Sequence, residues 1–267
     1  MPAPVVPTEG LGVLHLFFRI DRQVAPSLPP GAGKDLVTTL EELVDDAEVQ
    51  LHLFSVLGHK ADIMAFALAQ DLGALRALQT AIQSCSAGPA LELTYSYLSL
   101  TESSEYTATP EQYREEMAAK GVEGEDLERR VSEFAERMRT YGQDKLYPQM
   151  PQWETACFYP MSHRREGDDN WYALDFDERK RLMHGHGRTG RGYTGRVLQL
   201  VSGSTGLDDW EWGVTLFAHD IDDLKQIVYT MRYDEATVRY AEFGPFLTGL
   251  RRSPEELVTE LGLLGPA

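Results

Sequence analysis

The order strand, helix, strand, strand, helix, strand is written twice along this chain, and no other feature restricts its fold as tightly. In the first half, residues 11–20 (LGVLHLFFRI) are rich in β-forming side chains and read as a strand. A Pro/Gly stretch at 26–33 precedes a helix from about 34 to 47, where Leu36, Val37, Leu40, Leu43 and Val44 recur at helical spacing. Residues 49–57 and 61–69 are strands separated by GHK, 72–83 is a helix and 91–100 a strand. The second half repeats the order: strand 154–161, helix 177–186, strands 196–202 and 211–218, helix 221–231 and strand 242–248. The correspondence is visible in ADIMAFALAQDLGAL beside EWGVTLFAHDIDDL, each a strand, an Asp-containing turn and an amphipathic helix.

A βαββαβ unit places its helices on one face of an antiparallel sheet, the ferredoxin-like arrangement. The expected fold class is therefore α+β, with two tandem ferredoxin-like domains at 1–107 and 148–267. Between them, 108–147 forms a connector whose segment 109–139 is charged, helix-favouring and opened by the Thr109-Pro110 cap signal.

Composition removes several classes of function. The chain has 267 residues, with 25 Lys+Arg against 42 Asp+Glu, a net charge of −17. Such a balance opposes wrapping nucleic acid or lying on anionic lipid. No apolar run approaches the roughly 20 residues needed to span a bilayer. The first residues, MPAPVVPTEG, lack the basic and apolar regions of a secretory signal. Cys85 and Cys157 make only one possible pair, which is no disulfide framework. A cytoplasmic protein with reduced thiols, acting on neither nucleic acid nor membrane, is expected.

The chemistry is concentrated in the second half. In RKRLMHGHG (179–187) two histidines lie two residues apart, which on a helix turns them roughly 200° from each other. His186 follows Leu182 by four and Met183 by three, which puts it on the inward stripe. His184 shares the solvent side with Lys180 and Arg181. An inward histidine near a helix end, followed by Gly187 and Gly190, is either a satisfied core residue or a ligand to a bound metal or macrocycle. There is no CxxC, HExxH, GxGxxG after a strand, Walker sequence or GxSxG elbow. If His186 is a ligand, an axial bond to haem iron suits it better than an all-protein cage.

Three long stretches, CFYPMSHRREGDDNWYAL, ERKRLMHGHGRTGRGYTGRVLQLVSGSTGLDDWEWGVTLFA and YTMRYDEATVRYAEFGPFLTGL, closely resemble the coproheme decarboxylases of the chlorite dismutase superfamily. The resemblance is strongest over about 145–250 and thins in the first half, where GHKADIMAFAL and YSYLSLTESSEY still look like the family. It implies two ferredoxin-like domains of the dimeric α+β-barrel type, and usually a homopentamer. It also implies hydrogen-peroxide-dependent removal of two propionate carboxyls from iron coproporphyrin III, leaving the vinyl groups of haem b.

By position in the family's motifs, His186 is implied as the axial iron ligand and Tyr159 of FYPM as the tyrosine that becomes a radical. From the residues alone, Tyr159 reads equally as a half-buried strand aromatic. Gln199 matches the distal glutamine of one branch; it can hydrogen-bond an oxidant but cannot act as a base. Chlorite dismutases carry arginine there, so chlorite conversion is disfavoured. Contacts to the four propionates are implied for Lys145, Tyr106, His163, Met161 and Thr237. Lys145 replaces a usual arginine, Thr237 a usual serine and His163 a usual lysine. A histidine at 163 is expected to hold a carboxylate only while protonated, near or below about pH 6.5, with Arg164 or Arg165 supplying charge otherwise. The competing readings are a haem peroxidase or chlorite dismutase of the same superfamily, and a non-catalytic haem-binding protein.

Overall fold

The computed structural model describes residues 3–264. The first half runs β1 (Gly12–Ile20), α1 (Ala32–Val44), β2 (Val49–Val56), β3 (Ile63–Ala69), α2 (Leu72–Ser84) and β4 (Leu91–Thr101). Two helices follow, α3 (Pro110–Ala119) and α4 (Gly124–Leu146). The second half runs β5 (Thr155–His163), α5 (Phe176–Arg191), β6 (Val197–Gly203), β7 (Trp212–Ala218), α6 (Ile221–Met231), α7 (Glu235–Tyr240), β8 (Ala241–Phe243), β9 (Leu247–Arg251) and α8 (Pro254–Glu260).

Each half lays its strands in the ferredoxin-like order, β4-β1-β3-β2 and β9-β5-β7-β6, with every ladder antiparallel. Two seams join the halves: β4 pairs β6 at Leu100↔Gly203, and β2 pairs β9 at Ser55↔Leu250. The eight strands thereby close into a barrel, which among the described residues leaves no long edge open to another chain.

Closure explains why the strands are apolar on both faces. One face looks inward, where Phe17, Phe54, Phe66, Tyr97, Phe158 and Phe217 pack as a shared interior. The other lies under helices: α1, α2 and α8 cover the first half, and α6 covers Cys157, Val197, Val214 and Leu216 of the second. Gly213 is glycine for a steric reason, since a Cβ there would come within 2.6 Å of the Tyr97 ring.

Several elements differ from the sequence expectation. The single connector helix is broken between α3 and α4, because Gly121 adopts φ +81 and ends the first helix. The strand expected at 242–248 is split into β8 and β9, because Pro245 has no N–H to give to a ladder. Helix α7 was not anticipated; Asp234 caps it by accepting from the Thr237 amide. Helix α5 continues through Gly187 and Gly190 to Arg191, so His186 is not at its end.

Candidate functional site

Alternation along β5 sorts its side chains. Ala156 and Phe158 point into the barrel, so Cys157, Tyr159, Met161 and His163 share the outer face. Register carries that face across the sheet: Tyr159 pairs with Val214 and Met161 with Trp212 on β7, while Gln199 on β6 pairs with Leu216. Gln199 therefore lies in the row of Leu216 and Cys157, one row from Tyr159.

Helix α6 lies directly on β5, β6 and β7, whereas α5 rests mainly on α6 and α7. At its C-terminal end α5 approaches β6, where a Cβ on Gly190 would lie 3.3 Å from Nε2 of Gln199 and 3.0 Å from Cε of Met231. His186 and Gly190 are one helical turn apart on one side of α5. That places His186 on the side of the helix that meets the amide of Gln199. His184 is exposed, as its helix face predicts.

The His186 ring is held from behind. Its Nδ1 lies 3.0 Å from Oδ2 of Asp234 and 3.4 Å from Oγ1 of Thr237, and that hydroxyl itself donates to Asp234 at 2.8 Å. Burial works to raise the Asp234 carboxyl, but hydrogen bonding and charge from His186, with help from Thr237, outweigh it and hold the group below the usual range. A carboxylate on Nδ1 leaves Nε2 as the free lone pair, the form in which histidine binds iron. A cleft of about 250 Å³ opens beside the ring, between Leu182, Gly185 and Thr189 of α5 and Asp234 and Glu235. Among the described residues, no cluster of three His, Cys, Asp or Glu side chains could hold a metal ion by itself. One oriented imidazole beside a cleft that also presents Arg181 and Arg188 suits an iron tetrapyrrole, which brings its own four equatorial nitrogens and carries anionic propionates.

Tyr159 is 8% exposed and packs on Phe246 at 4.5 Å and Phe243 at 5.6 Å between ring centroids. Burial, aided by Cys157 and opposed by Arg232, pushes its phenol pKa up, so it is a neutral phenol at ordinary pH.

His163 sits in an aromatic slot. Its ring stacks on Trp171 at 4.2 Å with 4° between planes and meets Trp212 edge-on at 4.8 Å. Burial lowers its pKa to about 4; Glu211 opposes that fall, and His186 adds to it. Without a substrate carboxylate beside it the ring is disfavoured as a cation, because the indoles displace the water that would solvate an imidazolium.

The remaining candidates are more scattered. Thr237 is beside His186, with its hydroxyl engaged by Asp234. Tyr106 stacks on Phe176 at the start of α5 and packs near Trp171 and Tyr240; burial above all pushes its phenol up to about 12. Lys145, near the end of α4, lies over the Tyr141 ring with its ammonium pushed down by burial. No hydrogen bond links Lys145 to the other candidates among the described residues. Arg165 pairs with Glu211.

Two residues that sequence reasoning passed over are central to this geometry. Asp234 was detectable as a cap in DEATVRY, four residues past Thr230. Glu211, the acid between two tryptophans in WEW, is 3% exposed and accepts from the His163 amide at 2.8 Å, the Tyr172 hydroxyl at 2.6 Å and the Arg165 guanidinium. A larger cavity of about 590 Å³ near Arg19, Arg22 and His59 holds none of the candidate residues.

Residues 32–252 match the family model described as chlorite dismutase. The chain belongs to the chlorite dismutase family. Within that family, it is 39% identical to a coproheme decarboxylase of Oceanobacillus iheyensis, over 98% of this chain and 100% of that one. It is also 39% identical, over 93% of its length, to a protein of Natronomonas pharaonis whose name marks it provisionally as haem-binding; the chain spans 40% of that longer relative. A solved structure of a haem-binding protein from Thermus thermophilus superposes with a TM-score of 0.78 at 35% identity, covering 98% of this chain and 100% of that one. A chlorite dismutase variant from Candidatus Nitrospira defluvii, at 20% identity, shares the fold with a TM-score of 0.71 over 95% of this chain and 96% of that one. No described helix is long and apolar enough to cross a membrane.

Proposed function

We propose that this member of the chlorite dismutase family is a coproheme decarboxylase: it converts iron coproporphyrin III to haem b with hydrogen peroxide. The single observation that carries the reading is the outer face of the second half. There Asp234 orients His186 on α5, one turn before the Gly190 that packs against Gln199, and the buried phenol of Tyr159 lies one row from Gln199. The 39% identity to a coproheme decarboxylase over nearly the whole chain supports it.

In this reading His186 holds the iron of the substrate through Nε2, and Gln199 donates a hydrogen bond to bound peroxide. Each propionate, R–CH2–CH2–COO⁻, with one hydrogen peroxide and one proton gives R–CH=CH2, carbon dioxide and two waters. The iron tetrapyrrole, once oxidised by peroxide, supplies the oxidising power. Tyr159 then loses its phenolic proton and one electron together, since burial disfavours a free phenolate. The phenoxyl oxygen removes a hydrogen atom from the propionate β-carbon; a second electron leaves as the C–C bond to the carboxylate breaks. Phe243 and Phe246 keep water from the radical. Lys145, Tyr106, Met161, His163 and Thr237 are proposed to line the tetrapyrrole and its propionates. Assembly as a homopentamer belongs to the same reading and is tested by light scattering on the purified protein.

The deciding experiment adds iron coproporphyrin III and peroxide to the purified chain and follows mass. Two successive losses of carbon dioxide plus two hydrogens are expected. An unchanged mass with tight binding would replace this reading with that of a haem-binding protein.

A further inference from the structure

Glu211 and His163 form a second carboxylate–imidazole pair, separate from Asp234 and His186. Glu211 is fixed by three donors: the His163 amide, the Tyr172 hydroxyl and the guanidinium of Arg165. The ring of His163 cannot swing to meet it, because Trp171 covers its face and Trp212 abuts it from the side. Its Nδ1 is buried without a hydrogen-bond partner and faces Oε2 of Glu211 at 3.9 Å. Nε2 makes no hydrogen bond to a described residue and is not sealed off from solvent. It lies on the outer face of β5, with Tyr159 and Met161.

Those positions decide which ring nitrogen carries the proton. A buried N–H is stabilised when it faces a carboxylate at about 4 Å, whereas a lone pair there is repelled. We propose that Glu211 holds His163 as the neutral Nδ1–H tautomer, so that Nε2 offers a lone pair to the substrate and meets a carboxylic acid or a bound water instead of clamping a carboxylate. This deepens the reading given under the proposed function and rests on it for the identity of the substrate.

Charge at this corner supports the assignment. Glu211, from the turn before β7, faces the ring, and His186 of α5 acts on it only electrostatically; Trp171 and Trp212 are uncharged. Arg165 and Tyr172 reach the pair only through Glu211, and the Arg165 charge offsets that of the carboxylate. A protonated imidazole would therefore leave a net positive charge between two indoles, with its buried Nδ1 still lacking a hydrogen-bond partner. A lysine at this position would instead carry a permanent cation out to the propionate.

The test is read first on the full chain without tetrapyrrole, by nitrogen-15 correlation spectra of the His163 ring. From about pH 5.5 to 8, Nδ1 should be protonated and Nε2 unprotonated. An Nε2–H tautomer, or a doubly protonated ring at about pH 6, would overturn the proposal. Glu211→Gln should yield a mixture of tautomers, and an unchanged single tautomer would show that Glu211 does not set it. Substrate contact is read from affinity for iron coproporphyrin III against its tetramethyl ester. His163→Lys should raise the preference for the free acid about tenfold, because a charge-assisted contact replaces a neutral one. An unchanged preference would overturn the contact with the carboxyl. If wild-type protein binds neither compound the functional reading falls, whereas the nitrogen shifts, measured on the protein alone, still decide the tautomer.

Discussion

Nδ1 of His186 lies 3.0 Å from Oδ2 of Asp234, so the carboxylate that caps α7 also sets the orientation of an imidazole on α5. The same oxygen accepts from Thr237 Oγ1 at 2.8 Å, which ties the pair to the first turn of α7. Removing the Asp234 charge therefore loosens the ring without touching its free nitrogen. Asp234→Asn should weaken binding of an iron tetrapyrrole by about 10- to 100-fold, measured by absorbance titration. Helix content should be retained, because asparagine is also a good N-cap. Wild-type affinity in Asp234→Asn would show that the carboxylate plays no part in presenting His186.

Helix geometry separates the two neighbouring histidines. His186→Ala should abolish the spectrum of a histidine-ligated iron tetrapyrrole, and the exposed His184→Ala should leave it intact. Loss of the signal in His184→Ala would overturn the assignment of the inward face.

Tyr159 combines two properties that one substitution can split. Its ring fills space against Phe243 and Phe246, while its hydroxyl makes no hydrogen bond among the described residues. Tyr159→Phe should keep stability within about 1 kcal/mol of wild type and should bind substrate normally. The first decarboxylation should stop; mass spectrometry showing ordinary product would remove Tyr159 from the reaction.

Acid stability reports on the barrel interior. His15 is fully buried among Phe66, Phe158 and Tyr97, with Nε2 2.8 Å from Thr215 Oγ1, and burial lowers its pKa to about 3. Its folded pKa is depressed, so the unfolded chain binds the proton first. Stability is complete above the unfolded value of about 6.5 and is lost as pH falls towards 3, at up to about 1.4 kcal/mol per pH unit. His52, lowered to about 4 by burial and Arg251, adds to the slope. Denaturant midpoints between about pH 7 and 4.5 should fall for wild type and fall less steeply for His15→Gln, which keeps a polar partner for Thr215 without titrating. Parallel curves would show that His15 is not the proton acceptor.

Much of this protein is legible from local pattern. The repeated strand–helix order set the strand sequence of each half, because hydrophobic spacing depends only on which face a residue must bury. Helical spacing turned His186 inward and His184 outward, whereas the strand expected to end at 161 runs on to His163, which puts that residue on the face of Tyr159 and Met161. Gly121, Pro245 and the Asp234 cap were also local signals, strong enough to redraw element boundaries.

Other properties depend on chain segments that meet only after folding. Closure of the barrel rests on β4 pairing with β6 and β2 with β9, and register between strands so far apart is decided by the shared aromatic interior. Asp234 meets His186 across 48 positions, and Glu211 meets His163 across another 48. The motif resemblance placed His163 at a carboxylate-binding position, where a solvated imidazole would be half charged near pH 6.5. The fold instead packs it between Trp171 and Trp212 and lowers its pKa to about 4. Residue type is written in the sequence, but protonation state is set by solvation and by charges that only tertiary packing brings within reach.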